Sequence, residues 1–186
     1  MKQLSKKDIK RKQIAKSCCN IFASGNFHDI PISQIASTAG IGKGTIYEYF
    51  QNKEDIVFEL MSCLQEDYDD KFHQNLSMAE DDYEKIIVLF DIFISSDKVT
   101  QIQREIYKQF LIVCLTKPSK EILNYNANLR AKYISVLDEI LKNQSLSTKI
   151  YDTVIGFFIA SSSLDGYDLE HTVKDYIKSK IYKENR

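Results

Sequence analysis

The stretch of residues 35–55 reads IASTAGIGKGTIYEYFQNKED, and it decides the fold. Apolar and small side chains recur at spacings of three and four in its first part, which predicts a short helix over about residues 32–39. A second pair of apolar residues, four apart, predicts another short helix over about residues 43–50. Gly40 lies between the two helices, where a tight turn favours a residue without a side chain. Two short helices joined by a glycine turn are typical of a helix-turn-helix motif.

Longer helices are expected on both sides of this motif. Ser5 and Asp8 have the spacing of a capping box, so a first helix should begin there. Gly25 and Asn26 should end that helix, because both tolerate the left-handed conformation of a helix C-terminus. Asn52 precedes two acidic residues and should cap a connecting helix that runs to about residue 70.

The quoted stretch resembles the helix-turn-helix signature of the TetR (tetracycline repressor-like) family of transcriptional regulators. That signature runs I-A-x-x-A-G-V-S-x-G-x-[ILV]-Y-x-[YH]-F-x-x-K-x-x-L, and most of its positions match here at the same spacing. Apolar residues upstream match the family's first helix, so the resemblance covers about residues 10–58. Four residues depart from the family pattern: Asn26, Pro31, Gly42 and Ile56. Each remains compatible with the fold, since proline and glycine are both tolerated at a helix start.

The resemblance implies an all-α protein of two domains. We expect an N-terminal, three-helix DNA-binding domain with a helix-turn-helix over residues 1–52. A C-terminal helical domain for ligand binding and dimerisation should then occupy residues 53–186. Together the two domains should contain about nine helices.

Five of those helices are predicted after the connecting helix. Capping residues and apolar periodicity place them at about residues 77–96, 100–116, 119–143, 145 or 147 to 164, and 168–182.

Several classes of protein are disfavoured by what the sequence lacks. No uncharged run of about 18 apolar residues occurs, and the basic N-terminus has no apolar core of a secretion signal, so we expect no membrane association and a cytoplasmic protein. The chain has three histidines, none in a metal-binding pair, and no nucleophile elbow or phosphate loop. We therefore expect no enzymatic activity, no metal site and no cofactor.

Charge is distributed unevenly along the chain. The whole protein has a net charge of −1, yet residues 1–53 contain nine lysines and arginines against three acids, a net charge of +6. We call residues 1–53 the head. A basic head followed by an acidic remainder of the chain predicts that the head binds a polyanion such as double-stranded DNA.

The candidate DNA-binding residues lie on the motif and on the first helix. Lys43 can bind a phosphate or a guanine, Gly44 lets the backbone approach DNA closely, and Glu48 can accept a hydrogen bond from a cytosine amino group. Hydroxyl and amide side chains of the motif suit phosphate contacts, and a lysine at the next helix start adds a phosphate clamp. Instead of contacting DNA, Tyr47 and Tyr49 could simply pack against the protein, and Lys6 and Lys7 could simply be solvated. The full set is Lys6, Lys7, Lys10, Ser33, Gln34, Lys43, Gly44, Thr45, Tyr47, Glu48, Tyr49 and Lys53.

The resemblance also implies a homodimer, in which the last two helices of each subunit form a four-helix interface. Small and bulky residues alternate on these helices, which permits close helix packing, although an ordinary core face would show the same pattern. The predicted interface residues are Val154, Phe158, Ser161, Val173 and Ile177. A dimer would hold its recognition helices about one DNA turn apart and so predicts an imperfectly palindromic operator.

Aromatic residues are frequent in the middle helices, where the resemblance implies a pocket for a small apolar or amphipathic effector. Aromatic walls with a few polar tips suit such a ligand, but simple core packing explains each residue equally well. The candidate ligand-binding residues are Phe90, Phe93, Tyr107, Phe110, Tyr125, Tyr133 and Phe157.

The resemblance thus implies a repressor that such an effector releases from its operator. The alternative is a DNA-binding regulator without a small-molecule inducer, controlled by a protein partner or by oxidation of a thiol such as Cys63 or Cys114.

Overall fold

The computed structural model describes residues 4–182, except for the side chains of residues 70 and 71. Within that range, every regular element is helical. The elements are α1 (Lys6–Ser17), α2 (Cys19–Ser24), a 3₁₀ turn (Phe27–Asp29), α3 (Ile32–Thr38), α4 (Lys43–Tyr49), α5 (Glu54–Met78), α6 (Asp82–Leu89), α7 (Asp91–Ile94), α8 (Lys98–Thr116), α9 (Lys120–Leu141), α10 (Gln144–Ser161) and α11 (Leu169–Ile181). The all-α prediction is confirmed.

Local sequence signals place the helix starts as expected. The Ser5 hydroxyl accepts a hydrogen bond from the Asp8 amide at 3.1 Å, and the Asp8 carboxylate accepts one from the Ser5 amide at the same distance, which completes the capping box. At the start of α5, the Asp55 amide donates to the Asn52 side chain at 2.8 Å. Both caps satisfy amides that the first turn of a helix leaves without a backbone partner.

Two predicted helices are interrupted, and one is longer than expected. The first is broken at Cys18 into α1 and α2, and the predicted helix over 77–96 is broken at the fully buried Phe90. Helix α5 continues to Met78 because no glycine or proline interrupts residues 54–78, and Asp81 caps α6 instead. Gly25 ends α2 in an extended conformation (φ −148°), so the left-handed C-terminus expected there was wrong.

The chain divides into two compact units. One contains the residues up to 69 together with 101–123, and the other contains 70–100 together with the residues from 124 onward. Helices α5, α8 and α9 therefore contribute residues to both units. The functional division at residues 52 and 53 remains a prediction.

The first unit contains the helix-turn-helix. Ile35, Ala36, Ile46 and Phe50 are buried where α3 packs on α4. Gly40 has a φ of +67°, a conformation that a side chain would strain. The Ile41 amide donates back to the Ala36 carbonyl at 3.0 Å, so the turn ends α3 in a Schellman motif. This local geometry sets the direction in which α4 leaves the turn.

Candidate DNA-binding surface

Helix α4 turns a polar face to solvent. Its buried side is held by Ile46, whereas Lys43, Gly44 and Glu48 are exposed and Tyr47 is 54% exposed. Thr45 and Tyr49 are half-buried at the edges of this face, and Ser33 and Gln34 are exposed at the start of α3. The structure thus brings the predicted α3 and α4 residues onto the surface of one helix-turn-helix.

Gly44 leaves open space on this face. A Cβ atom built there meets no atom of the chain within 4 Å, so the fold itself does not require glycine at this position. Close approach of another backbone is a second reason for a glycine. Gly44 is therefore available for contact with a ligand as large as DNA.

The basic residues of the head fall into two groups. Within residues 4–182, the structure gives Lys6, Lys7, Lys10 and Lys43 no carboxylate partner. These four ammonium groups remain available for phosphates.

The second group consists of cations that hold the head together. Arg11 pairs with Glu59 at 2.9 Å, donates to the Tyr49 carbonyl and lies 4.5 Å over the Phe50 ring. It therefore connects α1 to the end of α4 and to α5. Arg11 is therefore engaged within the chain and is not among the cations left for phosphates.

Two further lysines join α1 to α5. Lys12 pairs with Glu66 at 2.5 Å and Lys16 pairs with Asp67 at 2.8 Å. Hydrogen bonding to these carboxylates raises the pKa of both lysines. Each exposed pair contributes little alone, but together with Arg11 they fix α1 along one face of α5.

Lys53 does not have the geometry of a phosphate clamp. Its ammonium donates to the carbonyls of His28 and Ile30 at 2.8 and 3.0 Å and lies 4.8 Å over the Phe27 ring. Burial lowers its pKa. The side chain holds the segment before α3 in place, so we now assign it a positioning role instead of the predicted contact with DNA.

The same segment is held from α8 by a residue that the sequence analysis missed. Gln109 is buried, and its side-chain oxygen accepts a hydrogen bond from the Phe27 amide at 3.1 Å. Phe27 is itself fully buried. A glutamine in an amphipathic helix gave no signal for this role, because its partner lies 82 residues away.

Replacing Gln109 by methionine should destabilise the first unit. Methionine fills a similar volume but offers no strong acceptor, so the Phe27 amide is left buried without a partner, at a cost of about 1–3 kcal/mol. Urea unfolding should show this loss, whereas Gln74→Met on the exposed surface of α5 should leave the free energy of unfolding unchanged. Equal stability of the two variants would contradict the role of Gln109.

The seven aromatic residues predicted to bind a ligand do not all lie together. Tyr107 and Phe110 stack on each other in the first unit, with ring centres 6.3 Å apart. In the second unit, Phe90 and Tyr133 lie in a buried ring cluster and Phe93 packs on Phe158 at 5.1 Å. Tyr125 and Phe157, also in the second unit, are half-buried. Core packing accounts for the five buried residues, Phe90, Phe93, Tyr107, Phe110 and Tyr133.

The predicted interface residues need a similar correction. Val154, Phe158, Val173 and Ile177 are completely buried within the single chain, because the strongest apolar faces of α10 and α11 pack on their own unit. They offer no surface to a second subunit. Ser161, the fifth predicted residue, is half-buried, and its hydroxyl donates to the Phe158 carbonyl at 2.7 Å.

A weaker apolar strip on α10 remains at the surface. Ile159 is 54% exposed, Gly156 is exposed and Ile155 is half-buried, one turn apart along the helix. A Cβ atom at Gly156 would meet nothing within 4 Å, so a second helix has room to approach there.

The cysteines are poorly suited to a thiol switch. Burial raises the pKa of all four thiols, to about 11 for Cys63 and Cys114. Since the thiolate is the reactive form, raising the pKa makes each thiol less reactive at neutral pH.

Alkylation of the folded protein should therefore be slow. At pH 7.5 a thiol with a pKa near 11 is ~0.03% ionised, compared with ~10% for an ordinary cysteine. We expect Cys63 and Cys114 to react with iodoacetamide at least 100-fold more slowly in the native protein than in urea, with the native rate rising as the pH rises toward 11. Fast native alkylation at pH 7.5 would restore the thiol-switch hypothesis.

The described part of the chain lacks two further kinds of feature. None of its helices has the length and apolarity needed to cross a membrane. Residues 4–182 also contain no group of three or more side chains placed to hold a metal ion.

Comparison with known proteins agrees with the architecture. Residues 14–60 match the family described as bacterial regulatory proteins, tetR family. The fatty acid metabolism regulator protein of Bacillus subtilis is 34% identical over 79 residues, which are 42% of this chain and 37% of that protein. The match therefore spans well under half the length of this curated relative.

Solved structures extend the likeness of the fold to the whole chain. A TetR-family transcriptional regulator from Cytophaga hutchinsonii superposes with a TM-score of 0.72 at 16% identity, over 96% of this chain and 98% of that one. The regulator FadR from Bacillus subtilis, solved in complex with stearoyl-CoA, gives a TM-score of 0.59 at 20% identity, over 91% and 98% of the two chains.

The fold and the exposed face of α4 define a helix-turn-helix protein with a helical C-terminal region. Over residues 14–60 its N-terminal region matches the tetR family of bacterial regulatory proteins, and its fold is that of tetR-family regulators. The resemblance stated from the sequence is confirmed.

Proposed function

We propose that the protein is a sequence-specific DNA-binding transcriptional regulator that works as a homodimer. The observation that carries this proposal is the face of α4, where Lys43, Gly44 and Tyr47 are exposed and have no structural task that holds them there. A helix-turn-helix places such a face in the major groove, where side chains reach base edges. Lys6, Lys7 and Lys10 supply phosphate contacts from α1.

The C-terminal helices supply the surface through which the two subunits contact each other. The strip of Ile155, Gly156 and Ile159 on α10 is the surface we assign to this interface. A twofold dimer uses the same patch on both subunits and presents two copies of α4, so its operator is an imperfect palindrome.

The regulator is a repressor that a small apolar or amphipathic effector releases from DNA. The stearoyl-CoA complex of a protein with the same fold supports this class of effector. The effector shifts the protein toward a state with lower operator affinity, and the size of that shift is set by its difference in affinity for the two states.

Selection of DNA from a random library tests the proposal. The best fragment is then titrated with the protein at two salt concentrations. We expect a palindrome that is bound far more tightly than random DNA at both concentrations. Recovery of no preferred sequence, with an affinity that merely vanishes as salt rises, would mean that the protein binds polyanions without sequence specificity.

A further inference from the structure

A groove of about 600 Å³ crosses the surface of the second unit. It lies between the C-terminal end of α5, helix α6 and helix α11, and its volume is typical of small-molecule sites, ~300–1,000 Å³. None of the seven aromatic residues predicted to bind a ligand lines it. The groove is thus a candidate site that the sequence analysis did not identify.

One part of the groove is apolar. Met78 is 68% exposed, and Ile87 and Val88 are half-buried beside it. An exposed methionine at the end of α5 leaves apolar surface in water, and its flexible side chain adapts to different ligand shapes. This part suits an unbranched hydrocarbon chain.

Two lysines of α11 lie on the other side. Lys174 and Lys178 are four residues apart and so share one face of the helix. The Lys178 ammonium lies 5.5 Å from the centre of the Tyr83 ring, on α6, which places the charge over the groove. Both lysines therefore face the same groove as the apolar residues.

Each of the acidic residues near these lysines has a contact other than Lys178. Glu170 pairs with Lys174 at 2.6 Å and Asp175 pairs with His171 at 3.2 Å. Glu84, which also lines the groove, keeps its negative charge, but a hydrogen bond from the Glu80 amide at 2.8 Å holds its carboxylate at the start of α6. Within residues 4–182 the structure pairs no carboxylate with Lys178, so this ammonium is the positive charge left for a ligand.

We propose that this groove binds a small anionic amphiphile, a single-chain carboxylate in monomeric form. Its hydrocarbon chain packs on Met78, Ile87 and Val88, and its carboxylate pairs with Lys178. The binding is a property of the second unit and is measured without DNA, so it stands or falls separately from the proposed function.

Calorimetric titration of the full chain with decanoate, kept below its micelle concentration, tests the proposal. We expect saturable binding that is at least tenfold weaker in Lys178→Glu and in Met78→Glu. Both side chains are exposed, so these variants should keep the fold. Lys180→Glu makes the same change of charge on the same helix, outside the groove and over the Tyr176 ring, and should bind within twofold of the unchanged protein.

Decanol and decyltrimethylammonium test the charge of the head group. We expect decanoate to bind at least tenfold more tightly than either. Equal binding of all three compounds, or no saturable binding of decanoate, would overturn the proposal. Binding that neither groove variant weakens would place the site elsewhere and overturn it as well.

A fluorescent reporter gives an independent measurement. The chain contains no tryptophan, so Tyr83→Trp introduces a single indole beside Lys178. Its emission should shift with decanoate over the concentration range of the calorimetric binding. An unchanged spectrum at saturation would contradict the position of the site.

Discussion

Replacing Gly44 by glutamate should strongly weaken operator binding and leave the protein folded. The position is exposed on α4, and a Cβ atom there meets nothing within 4 Å, so the chain accommodates the new side chain. Glutamate is also a better helix former than glycine by about 0.5–1 kcal/mol and is favoured in a first helical turn. Thermal unfolding should therefore occur at the same temperature or slightly higher.

The effect on DNA has two causes. The larger side chain prevents close approach of the α4 backbone, and its carboxylate repels the phosphates. We expect operator affinity to fall at least about 100-fold, equivalent to a loss of about 2.8 kcal/mol. Fluorescence anisotropy with a labelled operator measures this loss.

A matched change on α5 separates charge from position. Gln74→Glu adds the same negative charge to an exposed helix far along the chain and should change operator affinity by less than threefold. Operator binding by Gly44→Glu within a few-fold of the unchanged protein would mean that α4 does not enter the groove of DNA.

Replacing Ile159 by glutamate should convert the proposed dimer into monomers. Ile159 is 54% exposed in the single chain and is the most exposed large side chain of the apolar strip on α10. Loss of such an interface residue costs about 2 kcal/mol, and twofold symmetry applies that cost twice. The dimer should therefore dissociate about 1,000-fold more readily, and operator affinity should fall with it.

Sedimentation velocity distinguishes this effect from misfolding. Leu115→Glu places the same charge on α8, where the leucine is 82% exposed, and this variant should remain dimeric. A dimer that survives Ile159→Glu at micromolar concentration would move the interface away from this strip.

The helix-turn-helix could be predicted from sequence because its signals are local. Gly40, the apolar spacing on each side of it and the Ser5 capping box all act over a few residues. The signal for the start of α6 was also local, but two residues, Ser77 and Asp81, could each cap that helix. Helix α5 continues past Ser77, and Asp81 is the cap.

The role of Lys53 could not be predicted, because it depends on contacts between distant parts of the chain. Its ammonium binds carbonyls 23 and 25 residues away, and no sequence pattern marks a carbonyl as an acceptor. The prediction of the interface residues missed the exposed strip for a related reason. Periodicity identifies the most apolar face of a helix, and Val154 and Val173 show that this face packs on the same chain.

The division of the head's cations has a consequence for how its affinity for DNA depends on ionic strength. Binding of a lysine to phosphate releases ions condensed on the duplex, and each such contact adds about 0.9 to the logarithmic salt slope. The sequence offers nine basic residues between residues 1 and 53, but Arg11, Lys12, Lys16 and Lys53 are engaged within the head. Fewer than nine basic residues are thus available to release ions from DNA, chiefly Lys6, Lys7, Lys10 and Lys43. Concentrated salt acts on the same molecule twice, since it weakens those phosphate contacts and also screens the pairs that hold α1 to α5.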